Sequence, residues 1–520
     1  MTKTKTHQGE LERLAVLEEQ AEMGGGQKSL DRLRQNNRLT ARERLNLLFD
    51  PDTFVEINKL AETQCVDFGM QQKKVPGDGV VTGYGTVAGR LAFAYAQDVT
   101  VIGGSVGTTH GQKICHLMDE AIKVKAPLIA LNDSGGGRLH EGFQASKNVA
   151  GMFFRNTAAS GVIPQITGIM GSCAGVAVYS PALTDFIVMI KGKSHMVITG
   201  PGVIKAVTGS EVSLEDLGGA GVHSQKTGQA HFVVESDEEC IQLIKKLLGY
   251  LPSNSNEDPP FMDTGDDPNR TDDTLEGIVP PDFKKSYNMK QVIERVVDRE
   301  TFFEVLPKYA QNIITGFARL DGNSVGIVAN QPRVMAGCLD VDSSDKASRF
   351  IRFCDAFNIP LINLVDVPGY KPGIPQEHAG IIRHGAKMLY AYSEATVPKI
   401  TLALRKEYGG AVMGMCCVGM GVDMMLAWPI AQLVVLDTTA AVDMIFRKEI
   451  KAAENPEELR QQKIEEYDYK YSNPYHAASH MLVNLVIKPS ETRPQLIKAL
   501  RMLKNKQRPK SDKRHGNIPL

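Results

Sequence analysis

Short apolar runs recur along the chain between stretches with helical spacing. The runs around Pro127–Leu131 (PLIAL), Pro360–Leu364 (PLINL) and Ile400–Leu404 (ITLAL) are too short for helices and are apolar on both faces, which predicts buried strands. Residues 108–125 and 343–357 carry helical spacing. Two stretches, from Thr82 and from Thr315, each hold two strand-like runs about a turn, at Gly89 and at Asp321-Gly322, and read as hairpins. Strands alternating with helices predict α/β units around a largely buried sheet. Residues 8–50 show helical spacing rich in charge; they read as a surface helix with solvated arginines, stopped by Asp50-Pro51.

The pattern occurs twice. Thr82 to Pro127 spans 45 positions, as does Thr315 to Pro360; Pro127 to Asp133 spans 6, as does Pro360 to Asp366. A third element, IPQITGIMGSCAGVA against VPKITLALRKEYGGA, keeps 11 positions from Pro164 to Gly175 and from Pro398 to Gly409. Three matched spacings over about ninety residues indicate an internal duplication. Between the halves, residues 252–283 are rich in Pro, Asp and Asn and read as a linker, which divides the chain into domains 1–270 and 271–520. The basic, polar stretch 504–520 reads as a solvated tail.

Composition narrows the function classes. The 520 residues balance 59 Lys and Arg against 60 Asp and Glu, which gives no reason to expect a nucleic-acid or anionic-membrane partner. The N-terminus lacks the apolar core of a secretory signal, and no run of 18 apolar residues suggests a membrane span. The eight cysteines show no CxxC spacing and read as reduced thiols of a cytoplasmic protein, with Cys416-Cys417 as core rather than a metal or redox pair.

Candidate chemistry sits at the glycine clusters that end the strands: Gly135-Gly136-Gly137 with Gly175-Val176-Ala177, and Gly369-Tyr370 with Gly409-Gly410-Ala411. In open α/β sheets ligands bind beyond the carboxyl ends of the strands. Backbone amides at a turn opening a helix can converge on one oxygen, so each half offers an oxyanion hole. Acid–base groups are few. His140-Glu141 and Gln376-Glu377-His378 are candidate bases or loop-orienting residues, and Arg383, His384 and Lys387 form a cationic face that is either solvated or turned to the second loop. There is no GxxxxGK[ST], HExxH, zinc-cysteine or GxSxG arrangement, so neither ATP nor metal is expected. Two oxyanion holes with little acid–base machinery suit a reaction in which two carbonyl-like oxygens gain charge together. Carboxyl transfer between biotin and a thioester is such a reaction, because the biotin nitrogen itself takes the α-proton.

The stretches TARERL, VPGDGVVTGYGT, NDSGG, YSPALTDF, ITGPGVIKAVTG, GIVANQPRVMAGCLD, VDVPG, GIIRHGAKMLYAYSEATVPKIT, YGGA and HGNIPL resemble the carboxyltransferase subunits of biotin-dependent acyl-CoA carboxylases. The resemblance spans residues 8–520 and points to the branch of propionyl-CoA carboxylase β, methylmalonyl-CoA decarboxylase α and the transcarboxylase large subunit. It implies two tandem crotonase-like domains, a homohexamer, acyl-CoA held mainly by the N-half and biotin mainly by the C-half. By position it implies an N-half hole from Gly136, Gly137, Gly175 and Val176, and a C-half hole from Gly369, Gly410 and Ala411. Biotin would lie on Gly409, Gly410, Ala411 and Tyr370, and the acyl group on Ala174, Gly175 and Met413. The chain departs from the family pattern at Gly137, His140, Ser172 and Val176. Val at 176 tolerates a positive φ poorly, which questions the loop shape there. Met413 suits a propionyl or methylmalonyl chain better than acetyl.

The first reading is therefore a carboxyltransferase acting on propionyl-CoA and methylmalonyl-CoA. Biotin would come on a separate carrier protein, since the chain has no AMKM-type attachment motif. The same subunit type serves an ATP-dependent carboxylase, a sodium-pumping membrane decarboxylase (the chain then being peripheral to the membrane) or a transcarboxylase, each with its own partner subunits. Two alternatives drop that chemistry. A crotonase-like hydratase or hydrolase would show paired carboxylates facing the N-half hole. A non-catalytic paralogue would follow from damage at Gly137 or Val176.

Overall fold

A computed structural model of the chain describes residues 6–507 and 512–520, and forms two compact units, Met1–Glu257 and Asp258–Leu520. Residues 508–511 of the basic tail lie outside the described residues.

The first unit is built on an eight-stranded sheet. Its strands are β1 (Val55–Ile57), β2 (Val80–Val87), β3 (Arg90–Gln97), β4 (Leu128–Ser134), β5 (Gln165–Ala174), β6 (Phe186–Ile190), β7 (His195–Val197) and β8 (Phe232–Val234). The order is β1-β2-β3-β4-β5-β6-β8, with β7 on the far end of β5. The hairpin β2–β3 is antiparallel, and β3 to β8 run parallel. The second unit repeats this plan with β9 (Phe303–Val305), β10 (Ile313–Leu320), β11 (Asn323–Asn330), β12 (Leu361–Val367), β13 (Lys399–Tyr408), β14 (Met424–Ala427), β15 (Gln432–Val434) and β16 (Leu485–Val486). Here β15 lies on the far end of β13. Even the irregularities match: β4 slips register between Asn132 and Ser134, and β12 between Val365 and Val367. The architecture is α/β, with two similar domains, as the repeated spacing predicts.

Burial explains the apolar runs. All seven residues of β4 and of β12 are buried, so neither strand needs a polar face. In the first unit the helices Thr108–Val124 and Gln144–Ala159 pack Ile114, Leu117, Met118 and Met152 against Tyr95, Leu128 and Ala130. In the second, helix Met289–Val296 joins Ile362, Leu402, Trp428 and Leu496 in one core.

Two readings from the sequence change here. The arginines of residues 8–50 do not share one solvated face. Three helices replace the single one (His7–Met23, Gln27–Gln35 and Ala41–Leu48), broken at Gly24-Gly25-Gly26 and after Gln35. Arg44 is fully buried, with its guanidinium on Asp133 (3.3 Å) and Asp237 (2.9 Å), and Arg42 pairs with Glu56 (2.9 Å). Nor is the 252–283 stretch loose throughout. Beyond Glu257 it straps onto the second unit, where Arg319 donates to the Pro260 carbonyl (2.8 Å), Arg270 to that of Val297 (2.8 Å) and Arg405 to that of Asp282 (3.1 Å).

Candidate active site

In the first unit two loops meet at the carboxyl ends of β4 and β5. After Ser134 the chain passes through Gly136 at φ +106°, where a Cβ would lie 2.9 Å from the Ala174 carbonyl oxygen. Only glycine serves there, both for the dihedral and for the close approach. The loop is pinned on its other side: Val106 N–H donates to Gly136 O (2.8 Å) and Arg138 N–H to Val106 O (3.0 Å). This leaves the Gly137 amide between them without a partner among the described residues. A Cβ on Gly137 would lie 3.5 Å from Val176 Cγ2, so the two loops stand side by side. Beyond Ala174 the chain turns at Gly175 (φ +61°) into a short 3₁₀ turn, Gly175–Val178. The first amides of such a turn have no partner within it. Gly175 carries the positive φ and Val176 does not, so valine imposes no strain on this loop.

The second unit repeats the site. Leu339 N–H donates to Gly369 O (3.1 Å) and Lys371 N–H to Leu339 O (2.7 Å), which leaves the Tyr370 amide, in the place of Gly137, without a partner among the described residues. Gly369 takes φ +147° and Gly409 +62°, the counterparts of Gly136 and Gly175. Gly409 N–H donates to Val434 O on β15 (2.9 Å), and the next residues open the helical turn Ala411–Gly414. The amides of Gly410 and Ala411 have no partner among the described residues. Gly410 has an ordinary helical φ of −63°, and a Cβ there would meet nothing within 4 Å. Its bareness serves no need of the backbone; it leaves open space over two free amides. Ala411 itself is buried, and Met413 stands half-exposed on the same turn. The Tyr370 ring turns inward instead: a Cβ on Gly385 would lie 3.1 Å from it and one on Gly414 2.7 Å from its hydroxyl. That hydroxyl has no partner, and burial pushes it up to about 12.

Buried charge fixes both loops. Asp133, next to the β4 irregularity, accepts from Arg38 and Arg44; Asp366, its counterpart, accepts from Arg405 Nε (3.0 Å). Glu141 is a brace and not a free base. Its carboxylate accepts from Thr108 N–H at the start of helix Thr108–Val124 (2.6 Å), from Thr63 Oγ1 (3.0 Å) and from Arg138 (3.0 Å). Burial works to raise its pKa, but these donors outweigh it and hold the group below the ordinary carboxylate range. Gln376 does the same service in the second unit, accepting from Val341 N–H at a helix start (3.0 Å). His140 stacks edge-on to Phe68. His384 Nδ1 and Lys387 Nζ both meet Asp345 (2.9 and 2.8 Å), so both side chains are paired. The sequence spacing pairs Asp133 with Asp366 but gives neither a role, and it does not single out Arg138. The constant offset of 233 positions from Val80–Gly137 to Ile313–Tyr370 is the signal that pairs the two aspartates.

The arrangement offers two sets of fixed amides at strand ends, one per unit, without partners among the described residues, with Asp133, Glu141 and Asp366 already committed to structure. Such amides stabilise oxygens on which negative charge develops. The carboxyl transferase domain family matches residues 32–518. The chain is 54% identical over 497 residues to the methylmalonyl-CoA decarboxylase subunit alpha of Veillonella parvula, covering 96% of each. It is 50% identical over 515 residues to the propionyl-CoA carboxylase carboxyltransferase subunit of Haloferax mediterranei, covering 99% of this chain and 100% of that one. Among solved structures it superposes on transcarboxylase 12S, described as a hexamer assembly with methylmalonyl-coenzyme A and methylmalonic acid bound. The TM-score is 0.98 at 48% identity, over 100% of both chains.

Proposed function

The chain belongs to the carboxyl transferase domain family, and from that we propose that it moves a carboxyl group between biotin on a separate carrier protein and the α-carbon of a short acyl-CoA, with propionyl-CoA and methylmalonyl-CoA as the substrate pair. It is an enzyme of the carboxyltransferase type. The acyl choice is supported by the names of its relatives, which act on these two thioesters, and by the apolar Met413 beside the second loop. A hexamer like that described for transcarboxylase 12S is part of the same proposal. No helix among the described residues is long and apolar enough to cross a membrane.

We assign the acyl-CoA to the first unit. The amides of Gly137 and Val176, with Gly136 and Gly175 shaping the loops and Ala174 at their meeting point, take the thioester oxygen. As the α-proton leaves, charge moves onto that oxygen, and fixed amides stabilise it without reorganising. The residues of the second unit fit a flat ureido ring: the space over Gly410 is open, and the amides of Tyr370, Gly410 and Ala411 are free to hold its oxygen. Gly369 and Gly409 set those amides in place. When presented by its carrier, biotin supplies the transferable carboxyl group and the nitrogen to which the α-proton passes. Glu141 stays ionised and paired, which fits a reaction that asks no base of the protein.

The observation that carries this reading is Gly410, where neither dihedral nor packing excludes a side chain. The test is free-biotin-dependent decarboxylation of methylmalonyl-CoA by the purified chain. Wild type should turn over, and Gly410→Val should fold with unchanged thermal stability yet lose ~100-fold or more in rate. Full activity in Gly410→Val would remove the C-half assignment.

A further inference from the structure

Glu407 is a carboxylic acid in an apolar core with no function in the scheme above. It lies on β13, two residues before Gly409, and is fully buried. Neither of its carboxyl oxygens has a hydrogen-bond partner among the described residues. On β12 its register partner is Val367, and on β15 it is Leu433. Leu433 in turn packs into a cluster with Ala403, Met425, Ala427 and Ala431.

Its surroundings hold little charge. Arg405, two residues earlier on β13, is buried and committed elsewhere: across the register irregularity between β12 and β13, Asp366 accepts from its Nε (3.0 Å) and from the Lys406 amide (3.2 Å). The turn that follows helix Ala411–Gly414 brings Cys417, whose thiol is pushed up to about 11 by burial first and by Glu407 second. Among the described residues no group is paired with Glu407; burial alone acts on it and pushes it up to about 8.

The duplication shows what this position does. Cys173 holds the same place on β5, two residues before Gly175, with Met196 of β7 as its register partner. Its thiol points beneath the loop and donates to the Ala177 carbonyl (3.2 Å), inside an apolar cluster with Ile169, Val178 and Met196. The first unit thus props its loop with a small neutral donor, and the second unit has an ionisable acid at that place.

We propose that Glu407 is a positioning residue which stays buried as the neutral acid at the end of the strand that leads into the Gly409–Ala411 turn, and whose ionisation unseats that turn and switches the biotin-side site off. A carboxylate at this place has no paired group among the described residues, and an uncompensated buried charge is costly enough to pull its segment toward water. Glu407 is two residues from Gly409, and Gly410 is exposed to solvent, so movement of this segment toward water displaces the turn. The amides of Gly410 and Ala411 would then lose their common aim. Proton release is reversible, so the switch-off is too.

The activity arm of the test rests on the carboxyltransferase reading; a stability arm does not. Free-biotin-dependent decarboxylation of methylmalonyl-CoA should fall ~tenfold between pH 7 and pH 9, with a midpoint near 8, and return on re-acidification. Glu407→Gln mimics the neutral acid, and Glu407→Cys copies the first unit. Both should keep activity at pH 7 and lose the alkaline limb. In the stability arm, thermal unfolding of the intact protein is followed from pH 4 to pH 9. An acid raised in the folded state stabilises fully below its unfolded pKa and loses that contribution as pH rises to its folded pKa. The unfolding temperature of wild type should therefore fall, relative to Glu407→Gln, between about pH 4.5 and pH 8 and run parallel above. A limb of unchanged midpoint in both variants would overturn the proposal, as would stability curves that run parallel throughout. If wild type decarboxylates nothing at any pH while the stability curves diverge as stated, the functional reading fails and the assignment of Glu407 as the buried neutral acid stands.

Discussion

Gly136 and Gly410 show two reasons for a glycine at an active loop, and they fail differently. At Gly136 the backbone demands it, through a φ of +106° and the Ala174 carbonyl 2.9 Å from a would-be Cβ. Gly136→Ala should therefore distort both first-unit loops and cost about 1–3 kcal/mol of stability by the usual penalty for a strained conformation, together with activity. The check is chemical denaturation beside the decarboxylation assay. At Gly410 the space is empty and φ is ordinary, so substitution should remove activity alone. The contrast reaches position 176, where the sequence suggests a conflict because valine stands beside the turn. The left-handed residue is Gly175, one position earlier, and Val176 contributes only its amide. The third alternative, a paralogue disabled at this loop, loses its support there.

Between residues and domains, one device ties hairpin to helix in each unit. Lys113, on helix Thr108–Val124, is buried and donates to the carbonyls of Gly77 and Val80 (3.0 and 2.5 Å). Lys346 on helix Val341–Ala356 donates to those of Leu306, Tyr309 and Ile313 (2.9, 2.8 and 2.8 Å). Burial pushes Lys346 down to about 7 and Lys113 to about 8. Replacing either with Met strands buried carbonyls, so Lys346→Met and Lys113→Met should each cost about 3 kcal/mol, read as a lowered denaturant midpoint. The sequence hid these lysines, because a Lys within a helical pattern reads as solvated unless its carbonyl partners are known. It displayed β4, β5, β12 and β13, because strands buried on both faces show as uninterrupted apolar runs. It hid β7 and β15, which are three residues each and attach to the ends of β5 and β13 only after those strands slip past an irregularity. The glycine loops were legible because a positive φ leaves its mark in residue type. The partners of Glu141 and Gln376 were not, since a capping contact across about 35 positions leaves no periodic trace.

At the scale of the whole chain, duplication gives two loops of one design, which the proposed function assigns to two different reactants. If both act in one transition state, losing either is nearly as damaging as losing both. The double variant Gly136→Ala with Gly410→Val should then be little slower than Gly410→Val alone, a non-additivity expected of groups that act as a unit. Substrate binding should separate them: Gly410→Val should bind methylmalonyl-CoA as wild type does, by calorimetry, because its altered loop is assigned to biotin. The same proposed division limits what the first unit would do alone. Glu141 accepts from Thr108, Thr63 and Arg138, so a proton passed to it would weaken that brace. A hydratase or hydrolase built on this loop would need a protein base and would exchange the α-hydrogens of propionyl-CoA without biotin. A carboxyltransferase that takes its proton acceptor from the incoming ring would not. Proton NMR of propionyl-CoA in deuterated buffer with the purified chain should show no α-exchange above background until biotin is added. Exchange in its absence would mean that the protein supplies the base, and the hydratase reading would then account for the first unit better.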